Sequence, residues 1–165
     1  MPEGADDAWH LANTVLDNLQ YQHLWTELRI LTRSLCAAPA AKISESQPEA
    51  EADSDSDPDS QALPRPMVYG LPPKRLYVHP DDQVAMVKSG VAPDDKRLVA
   101  PEPEWVLPTH LAEKWSVEAF ARVFDALPAS GRDDRPKRLV LATVTTDSTI
   151  TYYVMHDGIV KPRQN

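Results

Sequence analysis

The order helix, strands, helix, hairpin predicts an α+β fold for this sequence. Apolar residues at three- and four-residue spacing open the chain, and two β-branched runs flank a turn near its end. Between them, twelve of the sixteen prolines fall from Pro39 to Pro108 and favour extended and turn conformations over long helices. No internal repeat is visible, and 165 residues suit one domain with some loose chain.

The first helix is expected from Asp7 to about Gln22. Trp9, Ala12, Leu16 and Leu19 recur on one side with Val15 beside them, and Asp6 or Asp7 is placed to cap the start. The stretch Leu24 to Leu35 reads two ways. Leu24, Leu28, Leu31 and Leu35 share a helical face, while Leu28, Ile30 and Thr32 alternate with their neighbours as a strand would. Periodicity alone puts helix ahead. Residues 36–66 are rich in Ala, Ser, Asp, Glu and Pro, carry no aromatic, and are expected to form a disordered acidic loop. Met67 to Val78 and Glu104 to Leu107 read as short strands, separated by the turn-rich Pro80-Asp81-Asp82 and Pro93-Asp94-Asp95.

Ser116 is a good N-cap for a helix reaching about Leu127, ahead of Pro128. Its expected buried stripe is Val117, Phe120, Phe124 and Leu127, with Ala121 and Val123 at the edges. Arg138 to Val144 is apolar on both faces and therefore reads as a central strand. Thr149 to Met155 is β-branched, aromatic and alternating, and Thr145 to Ser148 turns one strand into the other.

Charge narrows the function. The chain has 17 basic and 25 acidic residues, and seven of the acids lie between Glu45 and Asp59. The rest is close to neutral, which disfavours a strongly basic nucleic-acid binder. The lone Cys36 excludes an internal disulfide framework and any multi-cysteine zinc site. The acidic N-terminus lacks the features of a secretory signal, and no apolar run is long enough to span a bilayer, so a soluble intracellular protein is expected. Five scattered glycines exclude a phosphate-binding glycine loop.

Several chemistries fail on spacing. The Asp53-Ser-Asp-Ser-Asp run resembles the opening of a calcium loop, but Pro58 and Pro64 stand where that loop needs its glycine and its bidentate glutamate. The five histidines show no metal-binding spacing, and no serine sits in a nucleophile-elbow motif. No cofactor or metal is expected. Lys74-Arg75, Lys96-Arg97, Lys137-Arg138 and the tail Lys161-Pro-Arg163 are each either phosphate contacts or solvated surface. The final strand carries more information. No further obvious strand follows Met155, so Thr149 to Met155 reads as a sheet edge, which a partner strand would cover.

Leu139 through Gly158, and above all Asp147-Ser-Thr-Ile-Thr-Tyr-Tyr153, resembles the C-terminal signature of the tRNA-splicing endonuclease fold. The likeness is to the smallest, non-catalytic subunit type (subunit 15) of the eukaryotic heterotetramer. It implies one endonuclease-like domain over 7–165, a mixed or antiparallel sheet packed by helices, and a disordered acidic insertion. It also turns the ambiguous stretch into a strand, Trp25 to Ser34. Catalytic members use a Tyr, His and Lys triad; Lys137 matches the lysine in position, but Pro80 to Lys88 lacks the histidine.

The resemblance therefore implies a structural subunit that pairs with a catalytic one to excise introns from precursor tRNA. Partner contacts are expected at Asp147, Thr149, Thr151, Tyr152, Tyr153 and Met155, and RNA contacts at Lys137, Arg138, Lys161 and Arg163. Asp133-Asp134 competes with Asp147 as the docking loop. A proline at Thr151 or Tyr153 is expected to leave a folded chain that no longer binds. The implied location is the nucleus, or the cytosolic face of the mitochondrial outer membrane, and the isolated chain could self-associate. Two other readings stay open: a competent nuclease using His79 or His110 with Lys137, and an adaptor that recruits a basic partner through the acidic loop.

Overall fold

A computed structural model describes residues 3–33, 62–90, 100–128 and 136–158 of the chain. The elements are α1 (Glu3–Tyr21), β1 (Thr26–Arg33), β2 (Ala62–Leu71), α2 (Pro80–Lys88), β3 (Glu104–His110), α3 (Val117–Ala126), β4 (Arg138–Val144) and β5 (Ile150–His156). The strands form one sheet in the order β1-β2-β3-β4-β5. Among the described strands only β3 and β4 run parallel, and α3 lies in the connection between them, as a parallel crossover requires. The fold is α+β with a mixed sheet, as expected.

Among the described residues, α1 packs on one face of the sheet and α3 on the other. Leu11, Ala12, Val15 and Leu19 of α1 pack on Val68, Val106, Val140, Ala142 and Val144. Val123, Phe124, Ala126 and Leu127, from α3 and its end, pack on Met67, Leu107 and Leu139 from the other side. Alternate residues of β4 thus enter different cores, which is why its sequence is apolar throughout.

Several boundaries differ from expectation. The first helix starts at Glu3, so Asp6 and Asp7 lie inside it, and its core stripe runs through Leu11 and Val15 while Trp9 is partly exposed. The strand reading of Trp25 to Ser34 holds for Thr26–Arg33, which form β1, and Ser34 lies outside the described residues. The loop expected to run to Pro66 ends sooner, because Ala62 to Pro66 belong to β2. Burial of Leu63 and Met67 and the Arg65–Glu113 ion pair (2.7 Å) hold that stretch in place. Its prolines fit because the β2–β3 ladder covers only Val68 to Gly70; two residues further the same register would oppose Pro66 to Pro108, and neither has an N–H.

The strand expected at Met67 to Val78 ends at Leu71, and Pro80-Asp81-Asp82 opens a helix in place of a turn. Pro80 in the first turn, the His79 cap, the two acids and Lys88 in the last turn are helix signals that outweigh a weak apolar pattern. The short strand at Glu104 extends to His110. Val117 is exposed, so α3 buries a stripe further along, at Val123, Phe124 and Ala126. The acidic tract, Cys36, Asp94-Asp95, Lys96-Arg97, Asp133-Asp134, Lys161 and Arg163 lie outside the described residues.

Candidate protein-interaction site

The terminal hairpin is built from its turn outward. Ser148 N–H donates to Thr145 O (3.0 Å) and Thr145 N–H donates to Thr149 O (2.9 Å), with Ser148 at φ +66°. That is a three-residue loop whose last residue is left-handed. Asp147 closes it: its Oδ1 accepts from the Thr145 hydroxyl and from Thr149 N–H (3.1 Å). Those hydrogen bonds, the Thr145 one first, hold the exposed Asp147 carboxyl below its ordinary value.

The turn also sets which way the backbone of β5 faces. Thr145 and Thr149 form a hydrogen-bonded pair, and Asp157 N–H donates to Lys137 O (2.8 Å) at the far end. The register between them is continuous, from Val144 opposite Ile150 to Arg138 opposite His156. Hydrogen-bonded pairs alternate along an antiparallel ladder. Thr151, Tyr153 and Met155 therefore bond inward to β4. Ile150, Tyr152, Val154 and His156 turn their N–H and C=O groups to the edge that no other described strand covers.

Side chains divide differently. Ile150 and Tyr152 lean into the α1 core, where the Tyr152 hydroxyl donates to Asn18 Oδ1 (2.7 Å) and its ring meets His23 edge-on. Burial pushes the Tyr152 phenol up to about 12. Met155 and Leu141 pack toward α3. Tyr153 is 56% exposed and Val154 41%, one on each face beside the open edge. Thr149 and Thr151 are exposed as well. Of the expected contact residues, Asp147, Thr149, Thr151 and Tyr153 face outward, while Tyr152 and Met155 serve the two cores.

The other end of the hairpin meets a polar cluster that no local pattern of residues foretells. Arg138 forms ion pairs with Glu104 and Glu102, and Arg75 pairs with Glu102 (2.7 Å). Glu104 is almost fully buried; burial pushes its carboxyl up against the opposing pull of Arg138. The Arg138 guanidinium also lies over the Tyr77 ring (5.4 Å), and that ring contacts His156 (4.7 Å). Burial, then Arg138 and His79, keep the His156 imidazole below its usual value.

Lys137 has a structural partner. Its ammonium donates to Phe124 O (2.7 Å) and Leu127 O (2.8 Å), carbonyls at the end of α3. The two lysine and arginine charges at the start of β4 are thus engaged within the chain. His110 sits at the other end of the sheet, beside Val144, about 20 Å from Lys137 at strand rise. His79 caps α2 through Nδ1 and groups with Tyr77, on the sheet face opposite α3. Neither His79 nor His110 joins Lys137 in an acid–base set.

A family model described as Sen15 protein matches residues 14–165. The chain belongs to the Sen15 family. A probable tRNA-splicing endonuclease subunit of Neurospora crassa is 42% identical over 94% of this chain and 66% of its own length. A probable tRNA-splicing endonuclease subunit of Schizosaccharomyces pombe is 38% identical over 38% of this chain and 50% of its own. The tRNA-splicing endonuclease subunit of Eremothecium gossypii is 41% identical over 38% and 52%. This Sen15 member spans about half to two thirds of the length of these relatives.

Proposed function

We propose that this Sen15 member is a non-catalytic subunit of a tRNA-splicing endonuclease, and that it holds a catalytic subunit by adding one of that subunit's strands to β5. The observation that carries the reading is the outer edge of β5, which no other described strand covers. It is straight in register, it has no charged side chain from Ile150 to Met155, and its outward backbone groups are flanked by Tyr153 and Val154. Main-chain bonds give such an addition its affinity, and exposed aromatic and aliphatic anchors give it register.

The assembled heterotetramer excises introns from precursor tRNA, in the nucleus or at the cytosolic face of the mitochondrial outer membrane. RNA contact within it falls to Lys161 and Arg163 rather than to Lys137 and Arg138, whose charges serve the domain. The separation of His79, His110 and Lys137 supports a chain that does not cut by itself. Purified alone, it should leave intron-containing precursor tRNA intact; co-purified with the catalytic subunit, the complex should cleave it. Cleavage by the isolated chain that His79→Ala abolishes would overturn the assignment.

A further inference from the structure

β5 lies at the margin of both cores. It pairs with β4 and with no other described strand. The buried sheet residues of the α1 core come from β2, β3 and β4, while Ile150 and Tyr152 join it only partly and Val154 is exposed. On the other face Met155 alone of β5 reaches the α3 core, again partly. A strand held on one side only opens more readily than a central one.

One side chain ties it back. Tyr152 stands mid-strand; its hydroxyl donates to Asn18 Oδ1 (2.7 Å), and its ring meets His23 edge-on (5.2 Å). Among the described residues this is the one hydrogen bond from α1 to β5. The support at its far end is itself fixed. Asn18 O accepts from Gln22 N–H (3.0 Å) and His23 N–H (3.3 Å), and Trp25 N–H donates to Leu19 O (3.0 Å) across Leu24, at φ +56°. That left-handed residue closes the helix, and the buried Leu19 and Trp25 pin the closure in the core. A run of contacts thus leads from the core through Asn18 and His23 to Tyr152.

Tyr152 is also a residue whose backbone faces outward. Opposite Ala142 it sits in a non-hydrogen-bonded pair, so its N–H and C=O point away from β4. For stability its hydroxyl adds little: a neutral hydrogen bond nets only a small gain over desolvation, and phenylalanine would fill the same space. What it adds is direction. A ring held at its tip and at its flank fixes the backbone from which those two outward groups project. The phenol, pushed up to about 12 by burial, keeps its proton and hence the bond at neutral pH.

We propose that Asn18 and Tyr152 are positioning residues for the partner strand: their hydrogen bond holds the middle of β5 in place before the catalytic subunit arrives. The inference rests on the edge reading above and deepens it, since Tyr152, expected from the sequence to touch the partner, acts through its own backbone. Preorganisation of this kind lowers the ordering that binding must impose.

The test measures association and dissociation rates with the purified catalytic subunit for wild type, Tyr152→Phe, Asn18→Ala, the two changes together, and Val154→Pro. Tyr152→Phe and Asn18→Ala each remove one neutral hydrogen bond, and alanine favours a helix, so both chains should stay folded in a denaturant melt. Their association should slow by about three- to tenfold with dissociation unchanged, because the tie sets the fraction of free chains ready to pair. The double change should cost no more than either single one. In free Tyr152→Phe the inward amides of Thr151 and Tyr153 should exchange faster, with those of β2 unmoved. Faster dissociation at unchanged association would make the hydroxyl a direct partner contact and overturn the proposal. Wild-type rates in both variants, while Val154→Pro loses the complex, would overturn it too and leave the edge reading standing. If Val154→Pro binds as wild type, the edge reading falls and takes this inference with it.

Discussion

β1 and β5 are the outermost of the described strands, yet one edge carries charges and irregularities and the other, among the described residues, carries neither. β1 exposes Glu27, Arg29 and Arg33, and its pairing with β2 slips between Thr26 and Arg29 and again between Leu31 and Arg33. Glu27 takes φ +54°, a left-handed backbone that an added strand cannot follow. β5 has none of these features: its register with β4 is unbroken over seven pairs, and its first charged neighbour is Asp157. Charges and bulges are the usual ways in which a sheet edge is kept from pairing. Their presence on β1 and their absence among the described residues of β5 is the asymmetry that the proposed pairing through β5 requires.

The largest effect separates the two sides of β5 itself. Tyr153 donates inward, so Tyr153→Pro removes a ladder bond and strands a β4 carbonyl, at a cost of about 2–4 kcal/mol. Val154 donates outward, so Val154→Pro should unfold within about 1 kcal/mol of wild type and yet lose the catalytic subunit. Denaturant melts and co-purification read the two effects separately. This ordering corrects the sequence-based expectation that proline at Thr151 or Tyr153 spares the fold. Equal destabilisation by both prolines would contradict the assigned alternation.

A second, smaller effect tests the comparison between edges. Val154→Lys places on β5 the kind of charge that β1 already has, and should weaken binding of the catalytic subunit by about tenfold or more. Arg29→Thr with Arg33→Thr strips charge from β1 and should leave the chain's association state unchanged, since the two irregularities remain. Sedimentation of the β1 variant decides it. A new dimer there would mean that charge alone, without the bulges, guards that edge.

Much of this was legible in the residues. The alternation of Thr149 to Met155 revealed a strand, and the two-faced apolarity of β4 placed it inside the sheet. What could not be read has a common cause. The inward and outward phases of β5 depend on the geometry of a three-residue turn, and side-chain alternation is the same in either phase. Lys137 looks like a surface cation until α3 is seen to end within its reach. The pairing of Arg138 with Glu104 joins residues 34 apart, and nothing local marks it. α2 was hidden by proline and aspartates that read equally well as a turn.

The smallest effect concerns Asp147, whose ties to its own turn offer a second role beside any partner contact. Its carboxyl is held below the ordinary aspartate value by Thr145 and Thr149. An unfolded chain therefore binds the proton more readily than the folded one, and stability rises with pH through that window. The contribution is fully present above the unfolded value, near 3.9, and is lost as pH falls through the lower folded value. Asp147→Asn keeps an accepting oxygen but cannot titrate. The difference in unfolding free energy between wild type and this variant should be flat above about pH 5 and should shift against wild type as acid is added. If Asp147 served only a partner, the free chain would show no such pH-dependent difference, and the loss on substitution would appear in the complex alone.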